Sequence, residues 1–127
     1  MPTTKEQQRS AFALQRIIDF GNTGVPKGDA SFIVGTPTMI LSNGIAQTLA
    51  FLLSKQKPAE VVKEVKVFRI LKAWLAQEIP ILGPNNPDDR TFLSRFSALE
   101  QNDYLRAQQE ALALLQWLKR YARAFEV

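Results

Sequence analysis

Between its glycines and prolines this chain spaces its apolar residues at intervals of three and four, the period of one helix face. Ala13, Leu14, Ile17, Ile18 and Phe20 make the first such face. Thr4-Lys5-Glu6-Gln7 ahead of them has the pattern of a capping box, in which the first and fourth residues satisfy each other's backbone N–H groups. Gly21-Asn22-Thr23-Gly24 stops that helix, because glycine adopts the left-handed conformation that ends helices. Ile45 to Leu53 is apolar nearly all round, which predicts a central, buried helix. Pro58 predicts the next start, at the first helical position, where its missing N–H costs nothing. From there to Glu78, Val61, Val65, Phe68, Leu71 and Leu75 are expected inward. Pro80 to Pro87 reads as a loop. Asn86 as cap, Pro87 at the first position and Asp88 and Asp89 near the positive dipole end open another helix, with Phe92, Phe96 and Leu99 inward. The last helix is expected from near Asn102 to about Phe125, on a stripe of Tyr104, Ala111, Leu115, Leu118, Ala122 and Phe125.

Residues 25–43 are ambiguous. Ser31-Phe32-Ile33-Val34, a turn at Gly35-Thr36-Pro37-Thr38, and Met39-Ile40-Leu41 have the propensity of a hairpin. Two short helical pieces joined at Pro37 fit equally well. An isolated hairpin is marginal and the chain offers no third strand, so helix is the expectation. The fold class is then all-α: a compact bundle of five to six helices, with residues 1–127 as a single domain.

Composition narrows the chemistry. A chain of 127 residues with 46% hydrophobic side chains can bury a core. It has no cysteine and no histidine, which excludes disulfides, thiolate catalysis, Cys- or His-ligated metals and His-based triads. No apolar run approaches membrane-spanning length, and no apolar stretch follows Met1-Pro2-Thr3-Thr4-Lys5 as a signal peptide requires, so the cytoplasm is the expected compartment. The net charge of +4 favours anionic partners, nucleic acid first. Residues 55–87 hold most of the excess, six bases against three acids.

Acid–base chemistry would have to use carboxylates. Asp88 and Asp89 are adjacent, so on a helix they diverge by about 100° and read as first-turn charges. Glu100 and Asp103, three apart, could be neighbours on a helix, where magnesium could bind through water, though such a pair is usually just surface. Gly24-Val25-Pro26-Lys27-Gly28 lacks the glycine spacing, the Lys-Ser/Thr ending and the preceding strand of a phosphate loop. The expectation is no enzyme, no cofactor and no resident metal.

Two helix faces carry charge. On the last helix Arg106, Gln109, Ala113, Gln116, Trp117, Arg120 and Ala124 lie opposite the apolar stripe. The alanines admit a close backbone or ribose-phosphate, and arginine suits phosphate. Glu110 sits one turn from Arg106, in reach to hold it. Trp117 reads as a partner contact or as packing within the bundle. On the preceding long helix Lys63, Lys66, Arg69 and Lys72 step by three, and with Lys55 and Lys57 they form the densest positive region. Such a surface contacts phosphates without reading sequence.

The segment Thr36 to Lys55, TPTMILSNGIAQTLAFLLSK, resembles the signature stretch of the small helical subunit of type III-B CRISPR (Cmr) effector complexes. Tyr104-Leu105-Arg106, Glu110-Ala111-Leu112-Ala113 and Trp117-Leu118-Lys119-Arg120-Tyr121-Ala122 resemble that family's closing helix. The two blocks cover about a third of the chain. Ile45 stands where the family usually has leucine, and Ser31–Gly35, usually helical in the family, is strand-like. The resemblance implies a small all-α protein without catalytic activity, several copies of which stack head to tail as a minor filament beside the crRNA-bearing backbone subunit. It implies contact with the large signalling subunit and with crRNA and target RNA, in antiviral defence, with RNA cleavage left to the backbone subunit. The residues expected to face RNA are Lys55, Lys57, Lys66 and Arg69, with Arg106, Lys119, Arg120 and Arg123 as a second group, and Trp117 is expected at an interface. Two other readings fit the residues: a protein–protein adaptor without nucleic-acid contact, and a metal-dependent nuclease using Glu100 and Asp103.

Overall fold

Thr4 caps the first helix as its spacing from Gln7 predicts. Its hydroxyl accepts the Gln7 N–H at 3.1 Å, and the Gln7 side-chain oxygen accepts the Thr4 N–H at 2.8 Å. A computed structural model describes residues 2–127. Its helices are α1 (Lys5–Ile18), α2 (Lys27–Asn43), α3 (Ile45–Ser54), α4 (Lys63–Glu78), a 3₁₀ turn (Pro80–Leu82), α5 (Asp89–Ser97) and α6 (Gln101–Ala124). The fold is all-α, and the described residues contain no strand, only isolated bridges between Val25 and Glu126 and between Lys57 and Glu60. Contacts divide the chain into two units, Met1–Thr38 with Leu112–Val127, and Met39–Ala111.

The first unit joins the two ends of the chain. The Ser10 and Tyr121 hydroxyls hydrogen-bond at 2.6 Å, and the Trp117 indole N–H donates to Glu6 Oε2 at 3.1 Å. Gly21 and Gly24 end α1 with φ of 111° and 95°. Gly24 has a second reason to be glycine: a Cβ there would lie 2.4 Å from the Phe125 carbonyl oxygen. That carbonyl accepts the Val25 N–H at 2.9 Å, and the Val127 N–H donates back to the Val25 carbonyl at 3.0 Å. Phe125, expected on the inward stripe of α6, lies beyond the helix and is 51% exposed. Its carbonyl, not its ring, makes this contact.

Residues 27–43 form one continuous helix, neither a hairpin nor two pieces. Ala30, Ile33, Thr36 and Ile40 are all buried, and their spacing fits only a helix face. Burial along that face overrides the strand propensity of the segment. Pro37 sits inside the helix and cannot donate to the Ile33 carbonyl. One turn back the Thr36 hydroxyl donates to the Phe32 carbonyl at 2.9 Å, which turns a buried polar group inward on its own backbone.

In the second unit α3 packs on α4 and α5, and the 3₁₀ turn packs on α4 and α5. A run of aromatic rings passes through it: Phe68 to Phe92 at 6.3 Å, Phe92 to Phe96 at 6.0 Å and Phe96 to Tyr104 at 5.7 Å. Gly44 precedes α3 with φ of 83° and offers no side chain as a cap. Two α6 side chains supply one instead: Gln108 Oε1 accepts the Ile45 N–H at 3.0 Å and the Tyr104 hydroxyl accepts the Ala46 N–H at 3.3 Å. A Cβ on residue 44 would come within 3.2 Å of that hydroxyl.

Two boundaries and one face differ from expectation. α4 begins at Lys63, not Pro58, which lies in a turn closed by the Lys57–Glu60 bridge. Proline is favoured at the second position of such turns for the same fixed φ that suits it to helix starts. Val61 therefore precedes the helix and is 64% exposed. α5 is capped by Asp88, whose carboxylate accepts the Thr91 N–H at 2.8 Å, two residues after the expected Asn86. α3 is not buried all round: Gln47, Ala50, Phe51 and Ser54 are exposed opposite Ile45, Thr48, Leu49 and Leu52. No helix of the described residues is long and apolar enough to cross a membrane.

Candidate nucleic-acid interface

The last turns of α6 place Lys119, Arg120 and Arg123 on neighbouring positions, because residues three and four apart share a helix flank. With Val34 of α2 and Ala124 they line one open groove of about 620 Å³. Among the described residues Lys119 and Arg120 form no ion pair, while Arg123 Nη1 meets Glu126 Oε1 at 2.6 Å. Three cations with one carboxylate among them give the groove a positive field.

Trp117 lies on an adjacent part of α6, half-buried. Its ring is 6.0 Å from that of Tyr121, at 30°. Beside it runs a second groove of about 420 Å³, with Glu6, Gln7, Ser10, Ala11 and Leu14 of α1. The indole thus packs on its own chain through Glu6 and still leaves one side open.

The second unit holds the remaining predicted cations, most of them engaged by nearby groups. Lys55 ends α3, its Nζ 5.0 Å from the Phe51 ring centroid. Lys57 lies 3.6 Å from Glu60. Lys66 is half-buried on α4. Arg69 and Lys72 both reach Asp89 Oδ1, Lys72 at 3.0 Å. Arg106 donates to the Glu78 carbonyl at 2.9 Å. Glu110, expected near Arg106, instead accepts the Trp74 indole N–H at 3.0 Å. The structure therefore gathers Lys119, Arg120 and Arg123 into one groove, and sets Arg69 beside Lys72 on α4.

The two aspartates of α5 differ in environment. The Thr91 N–H bonded to Asp88 holds its carboxyl below the usual carboxylate range. Burial pushes Asp89 up, but hydrogen bonds from Arg69 and Lys72 outweigh it and hold its carboxyl below that range too. Glu100 directly precedes α6 and Asp103 lies in its first turn, where acids favour the helix dipole. Among the described residues no three acidic side chains gather as a metal-binding group.

Sequence reasoning took Asp88 and Asp89 as first-turn charges and missed that Asp89 bridges Arg69 and Lys72. The signal for that bridge is tertiary, since a loop and a 3₁₀ turn separate the partners. Val34 was missed for the same reason. A family model described as CRISPR-associated protein (Cas_Cmr5) matches residues 5–125 of this chain, nearly its full length.

Proposed function

The chain belongs to the CRISPR-associated Cas_Cmr5 family, the small subunit of the type III-B Cmr effector complex, and from that premise we propose that it is a non-catalytic subunit that helps hold target RNA. Copies of it stack as a minor filament beside the crRNA-bearing backbone subunit and meet the large signalling subunit, in the cytoplasm, as part of antiviral defence. The observation that supports RNA contact is the α6 groove, where Lys119 and Arg120 carry no internal counter-ion among the described residues and Arg123 adjoins them. Those three residues are the leading phosphate contacts. Lys55, Lys57, Lys66, Arg69 and Arg106 form a second set, weaker because neighbouring groups already engage several of them. Trp117 serves the subunit interface through its open side.

The test is fluorescence anisotropy of a labelled single-stranded RNA at two salt concentrations, with the protein alone and with the crRNA-loaded backbone subunit. Tight, salt-sensitive binding in the assembly is expected. Reversing the charge of Arg120 and Arg123 is expected to weaken RNA retention and leave the helical circular dichroism unchanged. Unchanged retention would favour an adaptor whose basic surface meets an acidic protein.

A further inference from the structure

We propose that Asp89 acts as an internal stand-in for an RNA phosphate, occupying a phosphate position formed by Arg69 and Lys72 on α4. The inference rests on the RNA-holding reading and names a regulating residue within it. Arg69 and Lys72 are three residues apart and share one flank of α4. Both reach the same oxygen, Oδ1 of Asp89, Lys72 at 3.0 Å. A guanidinium and an ammonium converging on one anionic oxygen is the arrangement a phosphate oxygen would find there. Asp89 is fixed from its own side. It is the first residue of α5, and the preceding Asp88 is pinned to the Thr91 N–H at 2.8 Å. The cations are fixed too, the guanidinium 5.6 Å from the Phe68 centroid and the ammonium 5.9 Å from that of Phe92.

The site is open at one edge. The Arg69 side chain is 45% exposed, against 17% for Lys72 and 22% for Asp89. Arg69, Lys72 and the neighbouring Arg90 against the Asp88 and Asp89 carboxylates leave a net positive charge that attracts phosphate. The Asp89 carboxylate repels any phosphate that comes within hydrogen-bonding reach of the cations. An RNA backbone must displace or share Asp89, so α4 grips only RNA already brought up by other contacts. This grants the subunit a weak, reversible hold at α4.

The chain, assembled with the crRNA-loaded backbone subunit, is titrated with a labelled single-stranded RNA across a salt series, as wild type, Asp89→Asn, Arg69→Gln/Lys72→Gln, and the triple variant. Removing one charge at about 4 Å in water is expected to tighten low-salt binding about fivefold. The slope of log K against log salt is expected to steepen by about 0.7, the value for one more phosphate neutralised on a single strand. The gain is expected to vanish when Arg69 and Lys72 are glutamine. Asp89→Ser carries the same expectation should Asp89→Asn lose helical dichroism. No gain from either Asp89 variant, or a gain that survives in the triple variant, overturns the inference. Wild-type binding that is lost on reversing Arg120 and Arg123, with no gain from Asp89→Asn, overturns it and leaves the RNA-holding reading intact. Binding by neither the wild type nor Asp89→Asn overturns both.

Discussion

Glu110 is 8% exposed, and the buried Trp74 indole donates to it at 3.0 Å. A carboxylate so placed depends on its donors, since an unpaired buried polar group bears its full desolvation cost. Trp74→Phe keeps most of the ring volume and removes that donor. It is expected to destabilise the protein by about 1–3 kcal/mol, read as a lower urea midpoint at unchanged m-value. Gly24→Ala places a methyl group against the Phe125 carbonyl at a φ that L side chains avoid. It is expected to cost more than about 1 kcal/mol and to raise amide exchange at Val25, whose N–H that carbonyl accepts. Asp88 and Asp89 set an acid dependence. Their carboxyls ionise more readily folded than unfolded. Their contribution to stability is therefore present above the unfolded pKa and lost as pH falls through the folded one. Thermal unfolding from pH 6 down to pH 2 is expected to show stability falling below about pH 4. Asp88→Asn keeps a good cap and is expected to flatten that fall.

At the scale of elements, local signals were readable wherever a residue acts on its own backbone. Thr4 and Gln7 announce α1, and the reciprocal bonds are there. Thr4→Ala is expected to lower stability by about 1 kcal/mol, with amide protection lost first at the start of α1. Pro58 misled because a fixed φ suits a turn as well as a helix start, and the choice between them was made by the Lys57–Glu60 bridge. The strand-like letters of α2 left a hairpin open beside the expected helix, since the burial of Ile33, Thr36 and Ile40 that decides for the helix is a property of the folded chain. The site divides along the same line. Of the group expected on α6, Lys119, Arg120 and Arg123 line one groove, as helical spacing puts them together, whereas Arg106, expected with them, is not among its lining residues and donates to the Glu78 carbonyl. The partners of Arg69, Arg106 and Glu110 were not legible, since each lies on a different element.

Across the whole molecule the charge of +4 matters less than where its bases remain uncompensated. If Lys119, Arg120 and Arg123 each neutralise one phosphate, the slope of log K against log salt is expected near −2, from about −0.7 per contact on a single strand. A slope near zero would mean that no phosphate is neutralised, and would count against RNA contact at this groove. The two units also differ in how the chain supplies them. Met39–Ala111 is an unbroken stretch, whereas the other unit draws on both ends. During synthesis the unbroken stretch leaves the ribosome with everything it requires, and domains fold as units while the chain emerges. α1 has already emerged by then, but the groups that receive it have not: Trp117 for Glu6, Tyr121 for Ser10, Phe125 for the residues just past its end. Until translation reaches them these bonds cannot form, so α1 is completed after helices that are made later than it.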